Sequence, residues 1–206
     1  MSVAGVLLAA GASRRMGQPK QLLELDGEAL VRRAARIALE AGCDPTIVVL
    51  GYEGDRVQAA LSGLPCTKVG NPEWEQGMAS SIRAGIEVLP QNATAALLLA
   101  CDQPAVDAAF LRSLISAHRL EPGRIAAAGY AGGTGIPALF PRRCFEALKN
   151  LSGDRGARAL IVDADVLSLP LLGGEMDVDT LLDYEEMRRR MESGIPLLSL
   201  ENENRE

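Results

Sequence analysis

Residues Leu8 to Lys20 read Leu-Ala-Ala-Gly-Ala-Ser-Arg-Arg-Met-Gly-Gln-Pro-Lys and directly follow the apolar run Val3 to Leu7. Glycine carries no Cβ, so at Gly11 and Gly17 the backbone can approach an anion closely. Arg14, Arg15 and Lys20 add positive charge where a polyphosphate would lie. A strand feeding such a loop is how open α/β sheets bind nucleotides at their carboxyl edge. The alternative, a surface turn with solvated cations, leaves the coincidence of strand, glycines and three cations unexplained. Neither common phosphate fingerprint fits. Five residues separate Gly11 from Gly17, and Lys20 follows Gln18 and Pro19, which excludes the ATPase-type loop. Ser13 and Met16 break the dinucleotide pattern of spaced glycines.

A second group with chemistry to offer is Asp102, at the end of the apolar run Leu97 to Ala100 in Leu-Leu-Leu-Ala-Cys-Asp-Gln-Pro. Carboxylate oxygens suit Mg²⁺, which joins one or two carboxylates to substrate phosphates. Asp102 could equally cap the turn before Pro104. A third is Asp177-Val178-Asp179-Thr180, where Asp179 or Thr180 also suits the N-cap of a final helix. A fourth stretch runs from Asn71 to Gly85 and carries Trp74, the only tryptophan. Gly77 and the small residues 79–81 put a helix N-terminus beside a loop there, a place suited to polar or anionic groups. His118 reads as a solvated helix residue with no acid–base partner in the sequence.

Strands are expected at Val3–Ala9, Thr46–Leu50, Cys66–Val69, Ala95–Ala100, Arg124–Ala128, Ile136–Phe140 and Val166–Leu171. Helices are expected at Glu28–Ala41, Asp55–Leu61, Met78–Leu89, Asp107–His118, Pro141–Leu148, Asp154–Ile161 and Thr180–Met191. Strands separated by helices imply a mostly parallel sheet covered on both faces. The expected organisation is one domain over residues 1–190, followed by a charged, aperiodic and partly disordered tail at 191–206.

The 206 residues suffice for one sizeable α/β domain. A net charge of −6 argues against general nucleic-acid binding, so the N-terminal cations are local and suit a small anionic ligand. No apolar stretch reaches the ~20 residues that a membrane helix needs. Cys43, Cys66, Cys101 and Cys144 are far apart and the chain has one histidine, which argues against a zinc site or a disulfide framework. The expectation is a cytoplasmic protein with reduced thiols.

The segment Leu8 to Lys20 resembles the signature loop of the molybdenum-cofactor nucleotidyltransferases, with their MobA-like NTP transferase domain. Ala9-Ala10-Gly11 looks like the cytidylyltransferase branch, a methyl at position 10 narrowing the space beside the base. Five further stretches resemble that family's segments, in chain order: Asn71 to Ser81, Cys101-Asp102-Gln103-Pro104, Gly135 to Pro141, Leu151 to Arg158 and Asp177 to Thr180. Leu181 stands where the family usually has proline.

The resemblance implies a three-layer α/β/α sandwich with a Rossmann-like sheet of the nucleotide-diphospho-sugar transferase type. It implies transfer of CMP from CTP to molybdopterin cofactor, with Mg²⁺ held by Asp102 and Asp179. The nucleotide would lie against Leu8, Ala9, Ala10, Gly11, Ser13, Arg14, Gly77, Ser80 and Ser81, with Lys20, Arg15 and Asp102 as the catalytic groups. Gly153, Asp154 and Arg158 would face the acceptor, and a molybdoenzyme client would be a further partner. Guanylyl transfer, another phosphorylated acceptor and a cofactor-delivering maturation factor are the rival readings. So is an oxidoreductase, for which Glu53 offers the acid after the second strand but no dinucleotide fingerprint accompanies it.

Overall fold

Val3 to Ala9 is apolar along its whole length, which marks a strand covered on both faces. In the computed structural model, which describes residues 2–130, 133–153, 156–162, 165–174 and 176–192, this run lies at the centre of a sheet. In chain order the elements are β1 (Ser2–Ala9), β2 (Glu24–Leu25), β3 (Glu28–Ala29), α1 (Leu30–Glu40), β4 (Thr46–Leu50), α2 (Gly54–Ala60), β5 (Thr67–Gly70) and α3 (Met78–Glu87). They continue with β6 (Ala93–Ala100), α4 (Ala108–Leu120), β7 (Ile125–Tyr130), β8 (Gly133–Pro141), α5 (Phe145–Lys149), α6 (Arg158–Val162), β9 (Val166–Pro170) and α7 (Leu181–Glu192).

The seven-stranded sheet has the order β5-β4-β1-β6-β8-β7-β9. β1 pairs in parallel with β4 and β6, and β4 with β5. β8 is antiparallel to both β6 and β7, while β7 and β9 are parallel. The chain builds outward from β1 to β5, then returns to place β6 on the other side of β1. The carboxyl ends of β1 and β6 therefore open onto a topological switch point, where open α/β sheets bind ligands. Leu8 is paired with Ala100, so the loops that follow start side by side.

Alternate residues of β1 feed opposite layers, as the period of a strand requires. Val3, Leu7 and Ala9 pack with α1 and α4, while Ala4, Val6 and Ala10 pack with Ile82 and Ile86 of α3 and Phe145 and Leu148 of α5. Helices thus cover both faces in an α/β/α sandwich. Among the described residues no helix is long and apolar enough to cross a membrane.

Several boundaries differ from expectation. Glu28 and Ala29 form a strand of the small β2–β3 hairpin, whose turn residues Asp26 and Gly27 have φ of 52° and 76°. An Asp-Gly pair with positive φ at both positions favours this kind of turn. Pro141 closes β8 and is not the start of a helix. Most of the tail, 193–206, lies outside the described residues, as does Asp154.

The reading of His118 as solvated is corrected: it is 1% exposed. It shares the inward stripe of α4 with Leu111, Leu114 and Ile115, at the spacing that places residues on one helix face. Burial pulls its pKa below the usual histidine value, partly opposed by the Arg124 backbone. The folded state therefore resists a proton that the unfolded chain accepts, and stability present above about pH 6.5 is lost as the pH falls. Urea midpoints measured from pH 8 to 5 should fall more steeply for the wild type than for His118→Leu. Parallel curves would remove His118 from the acid response.

Candidate active site

β1 delivers the chain to the switch point at Ala9, and the loop from Ala10 to Pro19 ends in a single 3₁₀ turn at Lys20–Leu22. Gly17 adopts φ of 69°, a left-handed turn that glycine tolerates without a Cβ penalty. Ser13 also has positive φ, 50°, and its carbonyl accepts the Met16 N–H at 2.8 Å. The Ser13 hydroxyl oxygen accepts the Lys20 backbone N–H at 3.1 Å, so it serves the loop itself. Beneath the loop lies Gln21, 2% exposed, whose Nε2 donates to the carbonyls of Ala9 at 3.1 Å and Gly11 at 2.7 Å. Sequence reasoning missed Gln21. Its only signal was a polar residue beside Lys20.

Asp102 follows β6, and its carbonyl accepts the Val178 N–H at 2.9 Å, which fastens the Asp177–Asp179 segment to the same edge. Arg33 of α1 steadies the loop after Asp102 by donating to the carbonyls of Pro104 and Val106 at 3.0 and 3.3 Å. Thr180 and Asp183 cap α7 reciprocally: the Thr180 N–H reaches the Asp183 carboxylate at 2.7 Å and the Asp183 N–H reaches Thr180 Oγ1 at 3.2 Å. That cap leaves the Asp179 carboxylate free to turn towards the loop.

The ammonium of Lys20 lies between two carboxylates. It donates to Asp102 and, at 3.1 Å, to Asp179, while Arg15 reaches the other Asp179 oxygen at 3.0 Å. Burial works against the charge of Lys20, but the Asp102 carboxylate and the bonds to both acids outweigh it and hold the pKa above the ordinary lysine value. Burial likewise opposes ionisation of Asp179, and Lys20 and Arg15 override it, keeping the group below its usual value. Asp177 goes the other way, raised to about 6 by burial and by the charges of Asp102 and Asp179. Negative charge is thus concentrated here, with one lysine and one arginine set against it.

The facing wall is the start of α3. Asn71, 4% exposed, donates to the hydroxyls of Ser80 at 2.9 Å and Ser81 at 3.1 Å, and its own Oδ1 takes the Glu73 N–H. Ser80 donates in turn to the Gly77 carbonyl at 2.8 Å. Trp74 stands edge-on to Tyr52, with ring centroids 5.5 Å apart. The Ala79 N–H donates to the Gly153 carbonyl at 3.2 Å, which joins the late glycine turn to this helix end.

Between the walls is a cleft of about 510 Å³. It brings together Leu8, Ala10, Gly11, Ser13, Arg14, Arg15, Lys20, Gly77, Ser81, Asp102 and Asp179, with Gln21, Trp74, Glu75 and Met78 in addition. Ala9, Ser80, Gly153 and Arg158 do not line it. Ala9 and Ser80 are buried behind its walls, and Arg158 lies towards Gly133 and Tyr130.

No group of three or more His, Cys, Asp or Glu surrounds a single point among the described residues. Asp102 and Asp179 supply hard oxygen donors, and two carboxylates suffice for Mg²⁺ when phosphates and water complete its shell. The donor set fits such an ion. Cys101 is no nucleophile, because burial pushes its thiol up to about 12.

The chain is 36% identical to nicotine blue oxidoreductase of Paenarthrobacter nicotinovorans, over 77% of this chain and 81% of that protein. It is 32% identical to the purine catabolism protein PucB of Bacillus subtilis (strain 168), over 91% and 96%. A probable molybdenum cofactor guanylyltransferase of Synechococcus elongatus is 44% identical, over 50% of this chain and 52% of that one. The crystal structure of Rv0371c from Mycobacterium tuberculosis H37Rv superposes with a TM-score of 0.81 at 33% identity, covering 92% of this chain and 98% of that one. The same protein has also been solved as a complex with manganese. The model of the MobA-like NTP transferase domain matches residues 5–167, and the chain belongs to that family.

Proposed function

We propose that this protein is a Mg²⁺-dependent nucleotidyltransferase that moves CMP from CTP to the terminal phosphate of molybdopterin cofactor, forming molybdopterin cytosine dinucleotide. The observation that carries the reading is Lys20 held between Asp102 and Asp179 at the switch point, under a glycine loop. Mg²⁺ held by Asp102 and Asp179, when bound, would neutralise triphosphate charge and draw electron density from the α-phosphorus.

The chain's own residues bind and orient. An oxygen of the acceptor phosphate forms the new bond to the α-phosphorus while the bond from that phosphorus to the β-phosphate bridge breaks, and pyrophosphate leaves. The acceptor oxygen is already ionised, so no protein base or nucleophile is required. Catalysis is then positioning and charge stabilisation. Lys20 and Arg15 exchange their carboxylate partners for the phosphates and steady the charge that collects on the departing group. The base lies against Ala10, Gly11, Gly77 and Ser81, and the likeness of Ala9-Ala10-Gly11 to the cytidylyltransferase branch favours CTP. The acceptor approaches from the side of Gly153 and Arg158, and the product passes to a molybdoenzyme client.

Pyrophosphate release by purified protein with Mg²⁺ and molybdopterin cofactor, compared across CTP, GTP and ATP, tests this. Release with CTP alone is the expected result. Release with GTP instead would overturn the base assignment and leave the transferase standing. The 36% identity to nicotine blue oxidoreductase favours a second reading, an oxidoreductase. Consumption of a reduced nicotinamide with silence towards every triphosphate would put that reading first.

A further inference from the structure

We infer that Gln21 is a positioning residue for phosphate binding: its buried side chain sets the shape of the loop that cradles the triphosphate. This rests on the nucleotidyl-transfer reading above and names a residue that acts within it without touching the reacting atoms.

Gln21 reaches back across the whole loop. Its Nε2 donates to the carbonyls of Ala9 at 3.1 Å and Gly11 at 2.7 Å, and two carbonyl acceptors fix which end of the amide is nitrogen. On the other side its Oε1 is 3.5 Å from the Ser13 hydroxyl, whose oxygen takes the Lys20 backbone N–H. One side chain thus closes a ring from Ala9 to Lys20. The geometry of the peptide explains what the ring achieves. In a planar trans peptide the C=O and the next N–H point in opposite directions. With the Gly11 carbonyl turned inward to Gln21, the Ala12 N–H is turned outward, and Ala12 lines the cleft. An anion approaching the loop meets the Ala12 N–H and the cations of Arg14, Arg15 and Lys20, while the carbonyls of Ala9 and Gly11 are held by Gln21. Gln21 also neighbours Lys20 in the same 3₁₀ turn, so the side chain that holds the loop start also anchors the lysine.

The test is Gln21→Met, which keeps length and bulk but cannot donate, with Gln21→Leu as a second variant should the first fail to fold. Calorimetric titration with Mg²⁺-tripolyphosphate and, separately, with cytidine reads the phosphate and base halves of the cleft. A folded variant should bind tripolyphosphate about tenfold more weakly, the scale of one or two lost buried hydrogen bonds, and bind cytidine as the wild type does. Ile115→Val, a conservative core change on α4, should lower stability and leave both titrations unchanged. Equal tripolyphosphate binding by wild type and variant would overturn the role of Gln21 alone. Parallel loss of tripolyphosphate and cytidine would also overturn it, showing general damage to the cleft. A wild type that binds no tripolyphosphate would overturn the phosphate-loop reading and this role with it.

Discussion

Lys20→Ala is expected to lower the rate of pyrophosphate release at least about a hundredfold, the roughly 3 kcal/mol that one preorganised cation supplies to a transition state. The structure gives the reason for so large an effect. Lys20 is four-fifths buried, and its ammonium is already fixed at the carboxyl edge by Asp102 and Asp179. It needs little reorganisation to meet a phosphate. Removing it also leaves two carboxylates facing each other without their shared cation, so the variant should lose some stability as well. Asp102→Asn in the same background relieves that repulsion, and the double variant should regain stability without regaining activity. That separation of melting temperature from rate distinguishes a catalytic lysine from a structural one. Activity within about threefold of wild type in a folded Lys20→Ala protein would remove Lys20 from the reaction.

Gly51→Ala is expected to destabilise the protein by about 2–3 kcal/mol, the upper range for overpacking, and to raise the KM for nucleotide. A Cβ at position 51 would lie 2.6 Å from the Ala10 carbonyl oxygen, 2.7 Å from Trp74 Cβ and 2.8 Å from Ala10 Cβ. None of these atoms is the free end of a flexible side chain. The Ala10 carbonyl is pinned by the Tyr52 N–H at 3.0 Å, and Trp74 is held edge-on to Tyr52. The strain must therefore move Ala10 and Trp74, both of which line the cleft. For a chain of this size the melting temperature should drop by about 4–12 °C, read by scanning calorimetry. An unchanged melting temperature would show that the β4 end yields more easily than its packing implies.

Much of the fold could be read from local pattern. The apolar runs Val3 to Ala9 and Ala95 to Ala100 became the paired central strands, because a sheet covered on both faces needs apolar residues at every position. The inward face of α1 follows from Leu30, Ala34 and Ile37 at helical spacing. His118 was within reach of the same reasoning, lying on the stripe of Leu111, Leu114 and Ile115. Its polarity concealed that position. The antiparallel direction of β8 was not readable, since an apolar strand pairs equally well in either sense and only its connections decide.

By itself the sequence determined the chemical groups and the elements that bear them: a glycine-rich loop with three cations after one strand, and a carboxylate after another. Those features are local, and local backbone preferences and burial patterns specify them. The tertiary structure alone decided which groups share a cleft. Lys20 meets Asp102 across 82 residues and Asp179 across 159, separations over which no periodicity extends. The strand order, with β6 returning to lie beside β1, brings them to one edge. It also decided that Gln21, the residue after Lys20 in the same short turn, should face inward to the carbonyls of Ala9 and Gly11. A buried carbonyl needs a donor, and the donor nearest in space is not the one nearest in sequence.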